Sequence, residues 1–599
     1  MMLDEQTTAL NWLQALETAL VGEDAAAIGE LFADDCHWRD LLAFTWTFQQ
    51  WSGRKAIATA LATNAVAMQP RNFKIPAART QPRLVNRVGR DVIEVIFEFD
   101  TRVGKANGVI RLVFDENSKS FRAWTLMTGL HEIAGAEEAS GLRRPEGSSS
   151  TRDFAAENWR ERRDRLIKYD DRDPTVLVVG AGQSGLSIAA RLGALGIDTL
   201  VVDRWPRIGD NWRSRYRGLS LHNEIWANDL PYLPFPKTWT TYTSKDQLAD
   251  WLESYASIME LNVWSGTELT AARYDEQLGH WHVELGRADG QTRTLRPRHI
   301  VLATGTSNGA NRPAIPGLEK FAGKVIHSTE FESNAQLGAQ KALVIGTGTS
   351  GHDVAQQLYC DGVETTLVQR SPTTVVSLRP STRMTYDLYL EGPGVEDCDL
   401  LFSASAYPVQ VEAAKIATKK MRDLDRPLLD ALVARGFKID FGPGDTGYQM
   451  RHLTTGGRYY INVGCSDLII DGKVGLLQFS DIASFEPDGV TLSNGQRLEA
   501  DLIVLATGYE LQQEQVRRLF GSEVADRVGQ IWGFDESGEL AAMWQRTGQP
   551  GFWLMGGGLL HTRVYSQYLA LQIKACELGL IEPSRPRGEG NAEFDLVTA

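Results

Sequence analysis

The chain has 599 residues with a net charge of −14, 43% hydrophobic and 23% charged, which excludes a disordered or fibrous protein. Its acidic balance offers no basic face to displace counterions, which argues against nucleic acid as a partner. No apolar run approaches the roughly 20 residues of a membrane helix, and the N-terminal MMLDEQTTAL has neither the basic nor the apolar region of a signal peptide, so a cytoplasmic location away from membranes is expected.

Residues 1–135 read as an α+β unit. Asn11–Leu20, Ala25–Phe32 and Arg54–Ala65 have helical apolar spacing, and Asp91–Phe99, Gly108–Phe114 and Phe121–Thr128 read as strands. The aromatic-rich strand around His37, Trp38 and Asp40 is read as lining of this unit rather than a second active site. Residues 136–152 are polar and rich in Gly and Ser, a linker. Glu157–Lys168 reads as a charged helix. From Thr175 onward a strand, glycine turn, helix and strand occur, and the pattern returns later in the chain.

The first copy is TVLVVGAGQSGLSIAARLGALGIDTLVVD. Gly180 permits the tight turn, Gly182 a close approach to a pyrophosphate, and Gly185 close packing of helix on strand. Asp203 lies 23 residues after Gly180 (203 − 180), placed to accept from ribose hydroxyls, with Arg204 beside it. The second copy, ALVIGTGTSGHDVAQQLYCDGVETTLVQR, repeats the spacing at Gly346, Gly348 and Gly351, with Ser350 in the loop. Here the same offset (369 − 346) lands on Gln369, followed by Arg370 and Ser371. A carboxylate would repel a 2′-phosphate, whereas an arginine binds one bidentately. The first site therefore reads as one for FAD and the second as one for NADPH. Two such sites on one chain imply hydride flow from nicotinamide to flavin. Val301–Gly305 and Ile503–Tyr509, which includes Thr507 and Gly508, end strands in Thr-Gly turns and read as crossovers between the two units.

Phe321, Gly323, His327 and Phe331 then spell FxGxxxHxxxF just before the second loop. This resembles the fingerprint of class B flavoprotein monooxygenases, in particular the flavin-containing monooxygenases, over about residues 160–580. Gly209–Trp212 resembles that family's flavin-contacting GGxW with Asp210 in place of a glycine, and Ala506–Tyr509 resembles its ATGY. The N-terminal extension is similar to that of a type II subgroup carrying a ketosteroid-isomerase-like cone. The resemblance implies that NADPH reduces FAD, that the reduced flavin takes up O2 as a C4a-hydroperoxide, and that one oxygen atom passes to a small organic substrate. Oxygenation at sulfur or nitrogen, oxidation of a ketone, and a dedicated Baeyer–Villiger reaction all stay open, although Phe331 stands where Baeyer–Villiger enzymes usually carry Trp. The family's active-site Asn follows a Tyr by six; here Tyr216 leads to His222, with Asn223 next, and either is a candidate facing the flavin. The resemblance gives His327 a structural role, tying the two nucleotide-binding units.

Gly556, Gly557 and Gly558 precede a helix beginning near Arg563 and read equally as flavin contacts or as an interdomain turn. The stretch at about 380–460, with an amphipathic helix at Val411–Arg422, reads as a cap over the substrate pocket, with Tyr386, Tyr389 and Tyr448 as candidate lining. The five cysteines lack CxxC spacing, which removes a disulfide-reductase version of the main rival, an NADPH–flavin reductase serving a partner; no metal site is expected. The expected fold is α/β, two nested doubly wound dinucleotide-binding domains plus an N-terminal α+β cone. The expected division is 1–135 cone, 136–152 linker, 153–335 FAD-binding, 336–500 NADPH-binding and 501–599 return to the FAD-binding part, assembled as a homodimer.

Overall fold

The computed structural model describes residues 4–147, 154–307 and 309–585. Residues 148–152 of the expected linker lie outside the described residues.

In the N-terminal unit, helices Glu5–Val21, Ala25–Glu30 and Arg54–Met68 pack on a seven-stranded sheet. Asp4 and Asp24 start the first two helices by accepting backbone N–H groups through their carboxylates. The expected order of three helices followed by strands is corrected: Phe32–Leu41 and Phe48–Ser52 form between the second and third helices. Alternation in Phe32–Leu41 is obscured because both faces of its second half are buried. Trp38, Phe44, Phe97 and Phe99 fill the unit's interior. Asp40 sits there too, but its carboxylate is consumed by Thr128 and Thr45 hydroxyls and the Phe44 and Thr45 N–H groups.

The rest of the chain is built on two parallel five-stranded sheets. In the first, the strand leading into Gly180 (Val176–Val179) lies between Thr199–Val202 and His299–Leu302, with Asn262–Trp264 and Phe552–Leu554 at the edges. In the second, Lys341–Ile345 lies between Glu364–Gln369 and Leu502–Leu505, with Gly475–Gln478 and Lys324–His327 at the edges. Strands Val176–Val179, His299–Leu302 and Leu502–Leu505 are buried throughout and, His299 apart, apolar, as sheets covered on both faces require. In each sheet the strand order reverses beside the glycine-bearing strand, and such switch points open the crevice where dinucleotides bind. Each crossover carries a small antiparallel sheet, Thr267–Leu295 in one case and Ile482–Glu499 in the other. The structure is thus α/β with two doubly wound sheets and a separate N-terminal α+β unit. Among the described residues no helix is long and apolar enough to cross a membrane.

Between strands Glu364–Gln369 and Gly475–Gln478 of the second sheet lies the insert, with helices Val395–Ser403, Tyr407–Leu424, Arg426–Ala434 and Gly447–Thr455. The expected helix at Val411–Arg422 is longer at both ends, because Pro408 suits a first turn. The helix expected near Arg563 starts at Leu559, with Gly558 as its N-cap.

Candidate functional site

A cavity of about 1960 Å³ is lined by both glycine loops and by the insert. A single small-molecule pocket takes roughly 300–1,000 Å³, so this one has room for more than one ligand.

At the first loop, Gly180 has φ +109°, and a Cβ there would stand 2.6 Å from the Ala303 carbonyl across the switch point. A Cβ on Gly185 would collide with the Gly180 carbonyl, so this glycine seats helix Gln183–Ala194 on its strand, as its spacing implies, and does not line the cavity. Gly182, by contrast, meets no backbone: a Cβ there would stand 3.3 Å from Asn211 Nδ2, and the residue caps the helix with no side chain. Its first amides therefore face the cavity unsatisfied by side chains, a ready anion site. Asp203 lies at the end of the next strand, where Ala181 N–H (2.6 Å) and Trp205 N–H (2.9 Å) donate to its carboxylate. It lines the cavity with Arg204, which lies over the Trp205 ring. Trp212, also in the wall, donates to Gln183 Oε1.

The second loop repeats this geometry. A Cβ on Gly346 would strike Ala506 O, and one on Gly351 would strike Gly346 O, while Gly348 is open and caps helix Thr349–Cys360 without a side chain. Gly346, Gly348, Ser350, Gly351, Arg370 and Ser371 all line the cavity. The assignment of Gln369 to this site is corrected. Its amide is buried and turned to the chain, donating to Lys438 O and accepting from Lys438 N–H and from Gln478. Arg370 is exposed and makes no hydrogen bond or ion pair within the described residues. Arg458, whose backbone N is 3.9 Å from where a Gly348 Cβ would be, also lines the cavity. These uncapped helix starts, glycine loops and unpaired guanidinium suit two dinucleotides, the second one phosphorylated on its ribose.

His222 and Asn223 line the cavity, and neither side chain has a hydrogen-bond partner among the described residues. Burial lowers the His222 pKa to about 4, so the imidazole is neutral at pH 7. Thr507, Gly508, Gly557 and Gly558 line the same cavity, and Gly557 O accepts from Gln183 Nε2. Tyr216 donates to Asp353 of the second loop's helix, and burial holds that carboxyl up at about 7.

Burial also lowers His352 and His561 to about 4. With His222, three imidazoles are neutral in the fold and take protons near 6.5 when unfolded. Their contribution to stability is complete above about pH 6.5 and is lost as pH falls through 4. The melting temperature is therefore expected to drop between pH 6.5 and 4, and His352→Phe, which keeps the stack on Tyr460, should flatten part of that slope. An unchanged slope in thermal melts at several pH values would contradict this.

The fingerprint residues Phe321, Gly323, His327 and Phe331 do not line the cavity. Phe321 and Phe331 are core residues, and a Cβ on Gly323 would stand 2.5 Å from Asp501 O. His327 is buried; its Nε2 donates to Gly508 O at 3.0 Å and its Nδ1 accepts from Thr329 N–H. The ring thus joins the end of one strand to the 507–508 turn.

From the insert, Tyr386 and Tyr448 line the cavity. Tyr389 does not: its hydroxyl donates to Asp399, which also holds Arg563. Sequence reasoning missed the aromatic end of the cavity, where Trp544, His561 and Tyr565 stack in parallel and Trp532 and Phe402 stand edge-on. It also missed wall residues from the N-terminal unit, Arg39, Asn86, Arg87, Val88 and Arg111. Arg39 donates to both carboxylate oxygens of Glu539 and to Ser403 O, so the charges next to Tyr565 neutralise each other. No local signal marks these N-terminal residues as cavity wall, since the segments they face, such as Glu391, Ser403 and Glu539, are hundreds of positions away.

Residues 177–453 match the family model described as pyridine nucleotide-disulphide oxidoreductase. All five cysteines here are free. The chain is 31% identical over 341 residues to indole-3-pyruvate monooxygenase YUCCA1 of Oryza sativa subsp. japonica, covering 56% of this chain and 77% of that protein. It is 30% identical over 366 residues to the probable indole-3-pyruvate monooxygenase YUCCA8 of Arabidopsis thaliana, covering 59% and 80%. Among solved structures, an ε-caprolactone-bound cyclohexanone monooxygenase aligns at 20% identity over 68% of this chain and 88% of that one, with a TM-score of 0.49. With two glycine loops on one cavity and relatives of this extent, the chain belongs to the class B flavoprotein monooxygenases, enzymes that use FAD and NADPH.

Proposed function

We propose that the enzyme transfers one atom of O2 to a small, uncharged and largely apolar organic substrate, by oxygenation at sulfur or nitrogen or by oxidation of a ketone. The observation that carries this is the aromatic end of the cavity, where Trp532, Trp544, Tyr565 and Phe402 gather about neutral His561 and the adjacent Arg39–Glu539 ion pair is closed on itself. Arg39, committed to Glu539, offers no free charge to an anionic substrate there.

On this reading Gly180, Gly182, Asp203, Arg204, Trp212, Gly557 and Gly558 hold FAD, and Gly346, Gly348, Ser350, Gly351, Arg370 and Ser371 hold NADPH. Thr507 and Gly508 close the wall between them. Gly185 and the fingerprint residues act through packing. The same reading divides the chain at about 135 and 153, but strands Lys324–His327 and Leu502–Leu505 pair into the second parallel sheet, so the expected bounds of 335 and 500 move to before 324 and after 505.

When bound, the two cofactors supply hydride transfer and oxygen activation. The chain's part is to align them, exclude water and control protons. His222 is neutral, so it offers one N–H and one lone pair without adding charge beside a reacting group. Asn223 adds an amide donor and acceptor at the same wall. The aromatic stack keeps the substrate end dry, which protects reactive oxygen from stray protons.

Anaerobic reduction by NADPH followed by mixing with oxygenated buffer tests the proposal. Consumption of a thioether or a ketone at the expense of peroxide release is expected; peroxide release unchanged by either class would overturn it. His222→Ala is expected to raise the peroxide formed per NADPH severalfold while leaving the KM for NADPH unchanged. Equal coupling in the two proteins would remove His222 from the reaction.

A further inference from the structure

The N-terminal unit touches the insert along one stretch, residues 391–409. Arg83 and Arg87 both hold Glu391, at 2.8 and 2.7 Å, and both also hold Glu94. Burial would raise the Glu94 carboxyl, but Arg87 and Arg111 outweigh it and hold it at about 2. Arg79 and Thr80 hold Asp397 through its two oxygens. Arg111 donates to Leu401 O and Ser405 Oγ, and Gln50 accepts from Tyr407 N–H. Val409, in the first turn of helix Tyr407–Leu424, is buried in a cluster with Val92 and Trp124, ringed by Val85, Val88 and Val113.

The same stretch and the rest of the helix it leads into are cavity wall. Leu401, Phe402 and Ser405 line it from the stretch, and Gln410, Ala413 and Ala417 from the helix. The N-terminal hairpin joins them there, since its turn residues Arg87 and Val88 line the cavity too. Val88 has φ +55° and Gly89 φ +78°, the pair of left-handed residues that a two-residue hairpin turn needs. Asparagine suits the first of these positions, whereas a β-branched valine is strained there. Strain of this kind persists where a side chain is needed.

We propose that the N-terminal unit is a specificity wall of the substrate site: Arg83 and Arg87 clamp Glu391, the valine cluster seats Val409, and helix Tyr407–Leu424 is thereby held over the aromatic end, with Val88 narrowing the opening. These are positioning residues, acting through the helix. The proposal rests on the reading that the aromatic end takes the substrate. It needs no second copy of the chain and no extra ligand.

The test compares Glu391→Gln and Val88→Gly in the full-length holoenzyme. Glycine keeps the left-handed turn, so Val88→Gly is expected to fold while removing the isopropyl group that narrows the opening. Hydrogen exchange in 395–424 is expected to quicken about tenfold in Glu391→Gln, the scale of one lost charge-assisted contact. In both variants the ratio of kcat/KM for benzyl phenyl sulfide over dimethyl sulfide should rise severalfold, while the rate of anaerobic flavin reduction by NADPH stays unchanged. Unchanged exchange in 395–424 would overturn the clamp. Faster exchange with an unchanged sulfide ratio would reduce it to a purely structural contact and overturn the specificity role. If the wild type oxidises neither sulfide, the substrate reading fails instead, and the exchange result still decides the clamp.

Discussion

Arg39→Ala is expected to destabilise the protein by about 3–5 kcal/mol, because it strands a buried carboxylate. Arg39 and Glu539 have side chains 4% exposed and meet through two hydrogen bonds of 2.7 and 2.6 Å. Gln50 also donates to Glu539, and Arg39 donates to Ser403 O, so the loss spreads into the insert. An exposed pair such as Lys119–Glu116 contributes only about 0–1 kcal/mol, screened by solvent. The contrast lies in desolvation: both Arg39 and Glu539 have given up water, and neither regains it when its partner is cut. Replacing both at once, Arg39→Met with Glu539→Leu, should recover most of the stability, since no uncompensated charge remains. Thermal melts of the FAD-loaded proteins check this. A single variant as stable as wild type, or a double variant as unstable as the single, would contradict it.

The second large effect concerns the reductant. Arg370→Ala is expected to raise the KM for NADPH by roughly 10–100-fold and to leave NADH nearly unaffected, since a hydrogen bond to a charged group contributes about 1.5–3 kcal/mol and each 1.4 is tenfold. Arg370 lines the cavity at the end of strand Glu364–Gln369 and has no partner of its own among the described residues. A lysine there should restore only part of the difference, because it offers a point charge and not a planar fork. Arg458, whose backbone passes beside Gly348, also lines the cavity. Steady-state kinetics with both nucleotides decides the matter: an equal change for NADPH and NADH would take the 2′-phosphate away from Arg370.

The positions of both glycine loops are legible in the sequence, and so is the packing role of Gly185 and Gly351, which stand against the carbonyls of Gly180 and Gly346. That constraint acts between residues five positions apart, and only glycine satisfies it. The offset of 23 was a weaker guide. It located Asp203 at the cavity, but counting along a strand ignores which face a side chain takes, and Gln369 turned to the other side to meet Lys438. His222 and Asn223 were named as a pair, and both line the cavity, so distance along the chain did not separate them.

The sequence by itself thus determined the α/β class, the two dinucleotide loops and the unequal ends of their second strands, all of them properties of short continuous segments. Only the tertiary structure decided that one cavity joins the loops, that its far end is aromatic, and that the N-terminal unit lines part of its wall. Arg39 and Glu539 are 500 positions apart, and Gln50 and Tyr407 are 357 apart. Contacts at such separations leave no periodicity and no motif. They exist because burial of two apolar surfaces brings distant polar groups together, and those groups must then satisfy one another.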